Sequence, residues 1–247
     1  MTHRNTAPTL ILVAGHWLGS WAWADVILNL PTERVRALPL TLPGLDPTDP
    51  DRATRDLDDQ AAAILDHISG AGGSAESPVF IAAHSGANAP VTLVLDRAPE
   101  LVAGVVWVDS GPIGHDSAFA PDLPAEVAEL PLPPVEELTQ QASLDGLSAE
   151  ALDRFRARAV PQPGPAVRQR ARLTNPARRA VPATFVCCSI SGDQIRELAA
   201  AGHPMFAEVA ELKHPTFVDL PTGHWPMWSR PRELAAAIEQ TVRGKSH

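Results

Sequence analysis

The chain has 247 residues, 45% of them apolar and 20% charged, with a formal net charge of −9. That length and mixture fit one large domain, or one domain carrying an insertion, and exclude a disordered chain. The acidic balance repels phosphate backbones and anionic lipid, which argues against a nucleic-acid or membrane-surface binder, and the absence of tyrosine excludes a tyrosine base or nucleophile.

The opening run, Met1 to Gly15, does not read as a signal peptide, because its apolar stretch is short and becomes a strand that ends in glycine. No run approaches the ~18–20 apolar residues needed to span a bilayer. Thr9 to Ala14 is a continuous apolar, β-rich segment, the mark of a strand buried on both faces. Trp21 to Leu30 reads as a helix closed by Pro31, and Val35 to Leu40 as a second strand. After a turn-rich loop, Leu57, Ala61, Ile64, Leu65 and Ile68 trace one face of a helix. The Asp-rich stretch Asp56 to Asp59 lacks the ordered spacing of a calcium loop and suits a helix start. Val79 to Ala83 is a third strand that runs into a helix beginning near Gly86, and Val102 to Val108 is a fourth. Ala183 to Cys188 is the fifth, Thr216 to Leu220 the sixth, and Arg232 to Val242 a closing helix.

Strands separated by helices imply βαβ units and a mostly parallel α/β sheet of about six strands with helices on both faces. Gly111 to Val181 breaks the rhythm. It is proline-rich, too long for an ordinary loop, and lies between two core strands. A helical insertion over the end of the sheet is expected, with Leu152, Phe155 and Val160 available for packing. The chain thus divides into core residues 1–110, a lid or cap at 111–181, and core residues 182–247. Cys187 and Cys188 are adjacent, so on a strand they face opposite sides. Buried free thiols are expected, which fits a reducing, cytoplasmic setting.

The most informative stretch is Val79 to Val91, VFIAAHSGANAPV. A buried strand runs straight into His84-Ser85-Gly86 and then into a helix. Ala83 and Ala87 flank the serine, and small residues are what a sharp, strained strand-to-helix turn requires. The segment resembles the nucleophile elbow of the α/β-hydrolase fold, a small-x-Ser-x-small pattern usually built with glycines. The resemblance implies that Ser85 is a nucleophile raised above the sheet, with the Gly86 N–H as an oxyanion donor at the helix N-terminus. Without chemistry, Ser85 would simply cap a helix.

A second stretch, AGHWLGSWAW from Ala14 to Trp23, is similar to the His-Gly-x-x-x-Gly-x-Trp run after the first long strand in superfamily members akin to plant esterases and hydroxynitrile lyases. Gly15, Gly19 and Trp21 match, while Ala14 stands where the histidine usually is. By that resemblance the His16 N–H is the second oxyanion donor, Trp17 lies near the pocket, and the chain opens directly on the first long central strand without the family's leading hairpin.

The third stretch, Phe217 to Trp228, ends a strand and then presents Gly223-His224 in a loop. The resemblance places the base there, since the imidazole must reach the serine from a loop. His84 is expected to point away from the pocket, and His203 and His214 lack a comparable setting. The acid stays open. Asp109 lies at the C-terminal end of VVWVD, where ligands bind in such sheets and a carboxylate needs a partner. Asp193, in SISGDQ, follows the next strand, where the family most often keeps its acid, but it also reads as the cap of a helix over Gln194 to Ala201. Asp109 is favoured; Glu197, or no acid at all, are further alternatives.

Together these features imply a serine hydrolase acting on an ester, thioester or lactone through an acyl-enzyme, with no metal or organic cofactor. Trp17, Trp225 and the alanine, leucine and proline content of the insertion point to an apolar small-molecule substrate. The same fold also admits lyase or cofactor-free oxygenase chemistry, or a non-catalytic ligand receptor. A homodimer formed through the insertion is left open.

Overall fold

The computed structural model describes residues 7–244. The reading of the opening run rests in part on residues 1–6, which lie outside the described residues. Strands β1 (Thr9–Val13), β2 (Arg36–Leu40), β3 (Val79–His84), β4 (Val102–Val108), β7 (Ala183–Cys187) and β8 (Pro215–Asp219) form one parallel six-stranded sheet in the order β2-β1-β3-β4-β7-β8. The short strands β5 (Glu129–Leu130) and β6 (Gln162–Pro163) pair antiparallel outside it. The chain steps outward from β1 to β2, then crosses back to the other side of β1 and proceeds through β3, β4, β7 and β8. That reversal opens a crevice at the carboxyl ends of β1 and β3, the place where ligands bind in open α/β sheets.

Ten α-helical segments accompany the strands among the described residues: α1 (Ala24–Ile27), α2 (Leu57–Gly70), α3 (Asn88–Arg97), α4 (Val135–Gln141), α5 (Ala149–Arg158), α6 (Gly164–Arg168), α7 (Gly192–Ala200), α8 (Ala207–Ala210), α9 (Pro226–Ser229) and α10 (Pro231–Gly244). Alternation along β1 sends Ile11 and Val13 to a core with Ile64 of α2 and Val91 of α3, and Leu10 and Leu12 to a second core with Val26 of α1 and Ile238 of α10. Every residue of β3 is buried, as a central strand covered on both faces must be. The acidic start of α2 is a capping box: Asp56 accepts the Asp59 N–H, and Asp59 accepts the Asp56 N–H. No helix among the described residues is long and apolar enough to cross a membrane.

The helix expected over Trp21 to Leu30 is shorter. A 3-10 turn, Ser20–Trp23, leads into four residues of α1. The Asn29 side chain donates to the Asp25 carbonyl while the Asn29 N–H turns to Val26, a side-chain bond that competes with the next helical turn.

Residues 111–181 carry α4, α5, α6, β5 and β6. Phe155 is buried against Trp225 and Trp228, and the Val160 N–H donates to the Trp17 carbonyl. The far end of the segment is tied down by Arg178, which is 8% exposed and bonds Asp96 of α3 and Glu208 of α8. Removing one partner from a buried ionic cluster leaves charge uncompensated. Glu208 would keep Arg179, and Asp96 would keep the Thr174 and Asn175 N–H groups. Arg178→Met should therefore cost about 3 kcal/mol, the low end for such a loss, read as a lowered midpoint in denaturant unfolding at unchanged slope.

Candidate active site

Ser85 follows β3 directly and holds φ at +50°, a left-handed conformation that costs a non-glycine residue about 1–3 kcal/mol. The elbow is wedged against the end of β1. A Cβ on Gly15 would lie 2.7 Å from the Ser85 Cβ and 2.9 Å from the His84 carbonyl, and one on Gly86 would collide with the His16 imidazole. The parallel register, with Val13 opposite Ala83, sets Gly15-His16 beside Ser85-Gly86 at the crevice. Their backbones are thus neighbours at the crevice.

The Ser85 Oγ donates to His224 Nε2 at 2.8 Å, and His224 Nδ1 donates to Asp109 Oδ2 at 2.6 Å. Asp109 ends β4, with φ at +43°. Its Oδ1 accepts the N–H groups of Cys188 and Ser189 at 3.1 and 2.8 Å, and its Oδ2 also accepts the Ser189 hydroxyl at 2.7 Å. Burial pushes this carboxyl upward, but the bond and charge of His224 and the Ser189 donors outweigh it, so its pKa lies below the ordinary aspartate value. Asp109 is therefore a carboxylate at neutral pH. The alternative acids are elsewhere. Asp193 sits in the first turn of α7 with its side chain 81% exposed, paired with Arg196. Glu197 is exposed on the same helix. Nor does Asp193 cap that helix: Ser191 does, in a capping box with Gln194.

The loop bearing His224 is held from three directions. The Gly223 and His224 N–H groups donate to the carbonyls of Asp145 and Ser143 at 3.0 and 2.8 Å. The indole of Trp225 meets the His224 ring edge-on at 4.9 Å. His84 Nε2 donates to the His224 carbonyl at 2.7 Å. His84 is buried in this contact, which the sequence did not reveal. A Cβ on Gly223 would come within 2.6 Å of both the N and O of Asp145 and within 2.7 Å of the Ser143 O. Backbone atoms cannot swing aside, so Gly223→Ala should displace His224, lowering kcat at least about 10-fold, the scale of a small misplacement of catalytic groups, and lowering the melting temperature as well.

His84 is 1% exposed. Burial, then the His224 ring, hold its pKa down at about 3, and the same two causes hold His16 at about 4. Unfolded, both would titrate near 6.5. The unfolded chain therefore binds more protons below that pH. Their contribution to stability is complete above about pH 6.5 and is lost as pH falls through about 4 to 3. His84→Gln, which keeps a donor for the His224 carbonyl, should flatten the fall of melting temperature between about pH 6 and pH 4. An unchanged slope would refute this origin.

Beside Gly86 and His16 lies a cavity of about 240 Å³, walled by Gln60, Asn88, Ser117, Phe119 and Gln162, among others. Ser85 and His224 are not in its wall, and neither are Trp17 and Trp225, expected to line the substrate pocket. Trp17 is 7% exposed, with its indole N–H donated to the Leu130 carbonyl at 3.0 Å, and Trp225 is 3% exposed against Phe155 and His224. Each indole is more favourably placed in the core, one with its polar N–H satisfied. The carboxamides of the wall escaped the sequence reading because they come from distant segments. Cys187 and Cys188 are buried free thiols, with Cys187 pushed up to about 12 by burial and by Asp219 and Asp109. Among the described residues no group of three or more His, Cys, Asp or Glu side chains could hold a metal ion.

A parallel sheet with a serine elbow, a histidine loop after the last strand and a strand-end carboxylate defines a class. The sequence pattern of the alpha/beta hydrolase family matches residues 10–237, and the chain belongs to that family. Among characterised proteins it is similar to Methylesterase 7 of Arabidopsis thaliana, 28% identical over 144 residues, a match that covers 58% of this chain and about half, 52%, of that relative. Its fold is shared with an extracellular α/β-hydrolase from a Paenibacillus species, described as structurally and functionally homologous to tobacco salicylic acid binding protein 2 (TM-score 0.72, 15% identity, 94% and 97% of the two chains). It is also shared with a methylesterase from Arabidopsis (TM-score 0.70, 15% identity, 96% and 100%) and with tomato methylketone synthase I (TM-score 0.72, 13% identity, 97% and 99%).

Proposed function

We propose that the protein is a serine ester hydrolase acting on esters with a small alcohol part, methyl esters foremost. The observation that carries this reading is the unbroken line from the Ser85 hydroxyl through His224 to the Asp109 carboxylate, at 2.8 and 2.6 Å. In the reaction, His224 takes the Ser85 proton as Oγ attacks the ester carbonyl. The N–H groups of His16 and Gly86 receive the oxyanion, each supplying about 3–4 kcal/mol to the transition state. The protonated His224, steadied by Asp109, then gives its proton to the departing alkoxide. Water, deprotonated by the same ring, frees the acid from Ser85. Residues 111–181 act as the lid: Ser117, Phe119, Gln162 and Gln169 from that segment supply one wall of the cavity. The similarity to a methylesterase supports the small leaving group.

The test combines a covalent probe with turnover. A fluorophosphonate should label Ser85, located by peptide mass, and the protein should release methanol from at least one member of a methyl ester panel. Labelling elsewhere, or a wild type inert to both probe and panel, would reject the proposal.

A further inference from the structure

The wall of the cavity has a hydrogen-bonding polarity. Gln60 donates its amide N–H to the Pro43 carbonyl at 3.1 Å, and Asn88 donates its own to the Gly111 carbonyl at 3.1 Å. A carbonyl can only accept, so the orientation of both side chains is forced: each gives one N–H to that carbonyl, and its oxygen is left without a protein partner among the described residues. The Gln162 carboxamide meets His16 Nδ1 at one end, and its Oε1 is buried without a partner on a side chain only 3% exposed. Gln60 is equally buried, at 3%. The fourth carboxamide, Gln169, is satisfied at both ends by the Leu57 N–H and by Asp58. No lysine or arginine lines the cavity. A buried acceptor with no donor costs about 1–3 kcal/mol, and in the Gln162 oxygen that cost stands unrelieved beside the proposed oxyanion site.

We infer that this cavity is an acyl-group subsite built for hydrogen-bond donors: it takes an uncharged acyl group bearing a hydroxyl or N–H, received by the free oxygens of Gln60 and Asn88, and it rejects acyl groups that carry a carboxylate. The inference rests on the hydrolase reading of the neighbouring serine, and it replaces the apolar substrate expected from the sequence.

The closing experiment compares methyl 3- and 4-hydroxyphenylacetate with their fluoro counterparts, which are nearly the same size but cannot donate, and with monomethyl glutarate at neutral pH. Affinity for Ser85→Ala is read by calorimetry and turnover on the wild type by methanol release. At least one hydroxyl ester should bind about 10-fold or more tightly than its fluoro partner, monomethyl glutarate should bind more weakly than either, and Gln60→Met in the Ser85→Ala background should shrink the hydroxyl advantage without changing fluoro affinity. Affinities equal within about threefold, a preference for the fluoro or carboxylate ester, or no measurable binding would overturn the inference. The wild-type pair preference needs no variant to fold differently. Selective binding without turnover would sink the hydrolase reading and keep the subsite; turnover without selectivity would do the reverse.

Discussion

Replacing Ser85 with alanine should lower kcat for methyl ester hydrolysis by about 10⁴-fold or more, the scale seen when a triad nucleophile is lost, with little change in substrate affinity. The variant loses the only oxygen that His224 Nε2 addresses, at 2.8 Å, while the His16 and Gly86 backbones keep their positions. Stability should barely move. One partly exposed hydrogen bond, worth about 1 kcal/mol, is lost, and the strained backbone at φ +50° remains. Ser85→Gly separates the two effects, because glycine adopts that conformation without penalty. It should be as inactive as the alanine variant yet melt at a higher temperature than it does. The check is steady-state methanol release with fluorophosphonate titration of residual sites, alongside thermal melts. An alanine variant within 10-fold of wild type would remove Ser85 from the reaction.

Asp109→Asn should cost about 10⁴-fold in kcat at neutral pH, for a reason written in the hydrogen bonds. Oδ1 faces two backbone donors, Cys188 and Ser189, which cannot be reversed. Asparagine must keep its oxygen there and so turn its NH₂ toward His224 Nδ1. That nitrogen then has to accept, which moves the ring proton to Nε2 and leaves no base facing Ser85. Nitrogen NMR of labelled His224 should report the Nδ1–H tautomer in the wild type and Nε2–H in the variant, with stability little altered because the shape is kept. Asp193→Asn serves as the control and should match wild type, since its side chain pairs with Arg196 at the surface. Near-normal turnover in Asp109→Asn, or a large loss in Asp193→Asn, would reverse the assignment of the acid.

What the sequence made legible follows from how local each signal is. The four central strands announce themselves by continuous apolar, buried runs, and β4 falls at the predicted residues, Val102–Val108. The elbow is legible because its steric demand falls on immediate neighbours, Ala83, Gly86 and Ala87. The choice between Asp109 and Asp193 was not, because it depends on β4 lying beside β7, which brings the Cys188 and Ser189 N–H groups to the Asp109 carboxylate. The setting of Trp17 and Trp225 was not legible for a related reason: an indole next to a motif can face the crevice or the core, and the contacts with the Leu130 carbonyl and the Phe155 ring come from distant segments. Gln162 gives no local sign of its role, being 146 positions from the histidine it touches.

Ser85 and Asp109 follow β3 and β4 directly and His224 lies in the loop after β8, whereas much of the cavity wall belongs to 111–181. Much of the cavity wall is therefore encoded apart from these three residues, with Gln60 and Asn88 contributed by the core stretch. Exchanging 111–181 for the corresponding stretch of a relative should retune which acids are released without dismantling the chemistry, provided the graft preserves the carbonyls at Ser143 and Asp145 that anchor the histidine loop. Such a graft must also match the other contacts that this stretch makes with the core, among them Val160 with Trp17, Phe155 with Trp225, and Arg178 with Asp96 and Glu208.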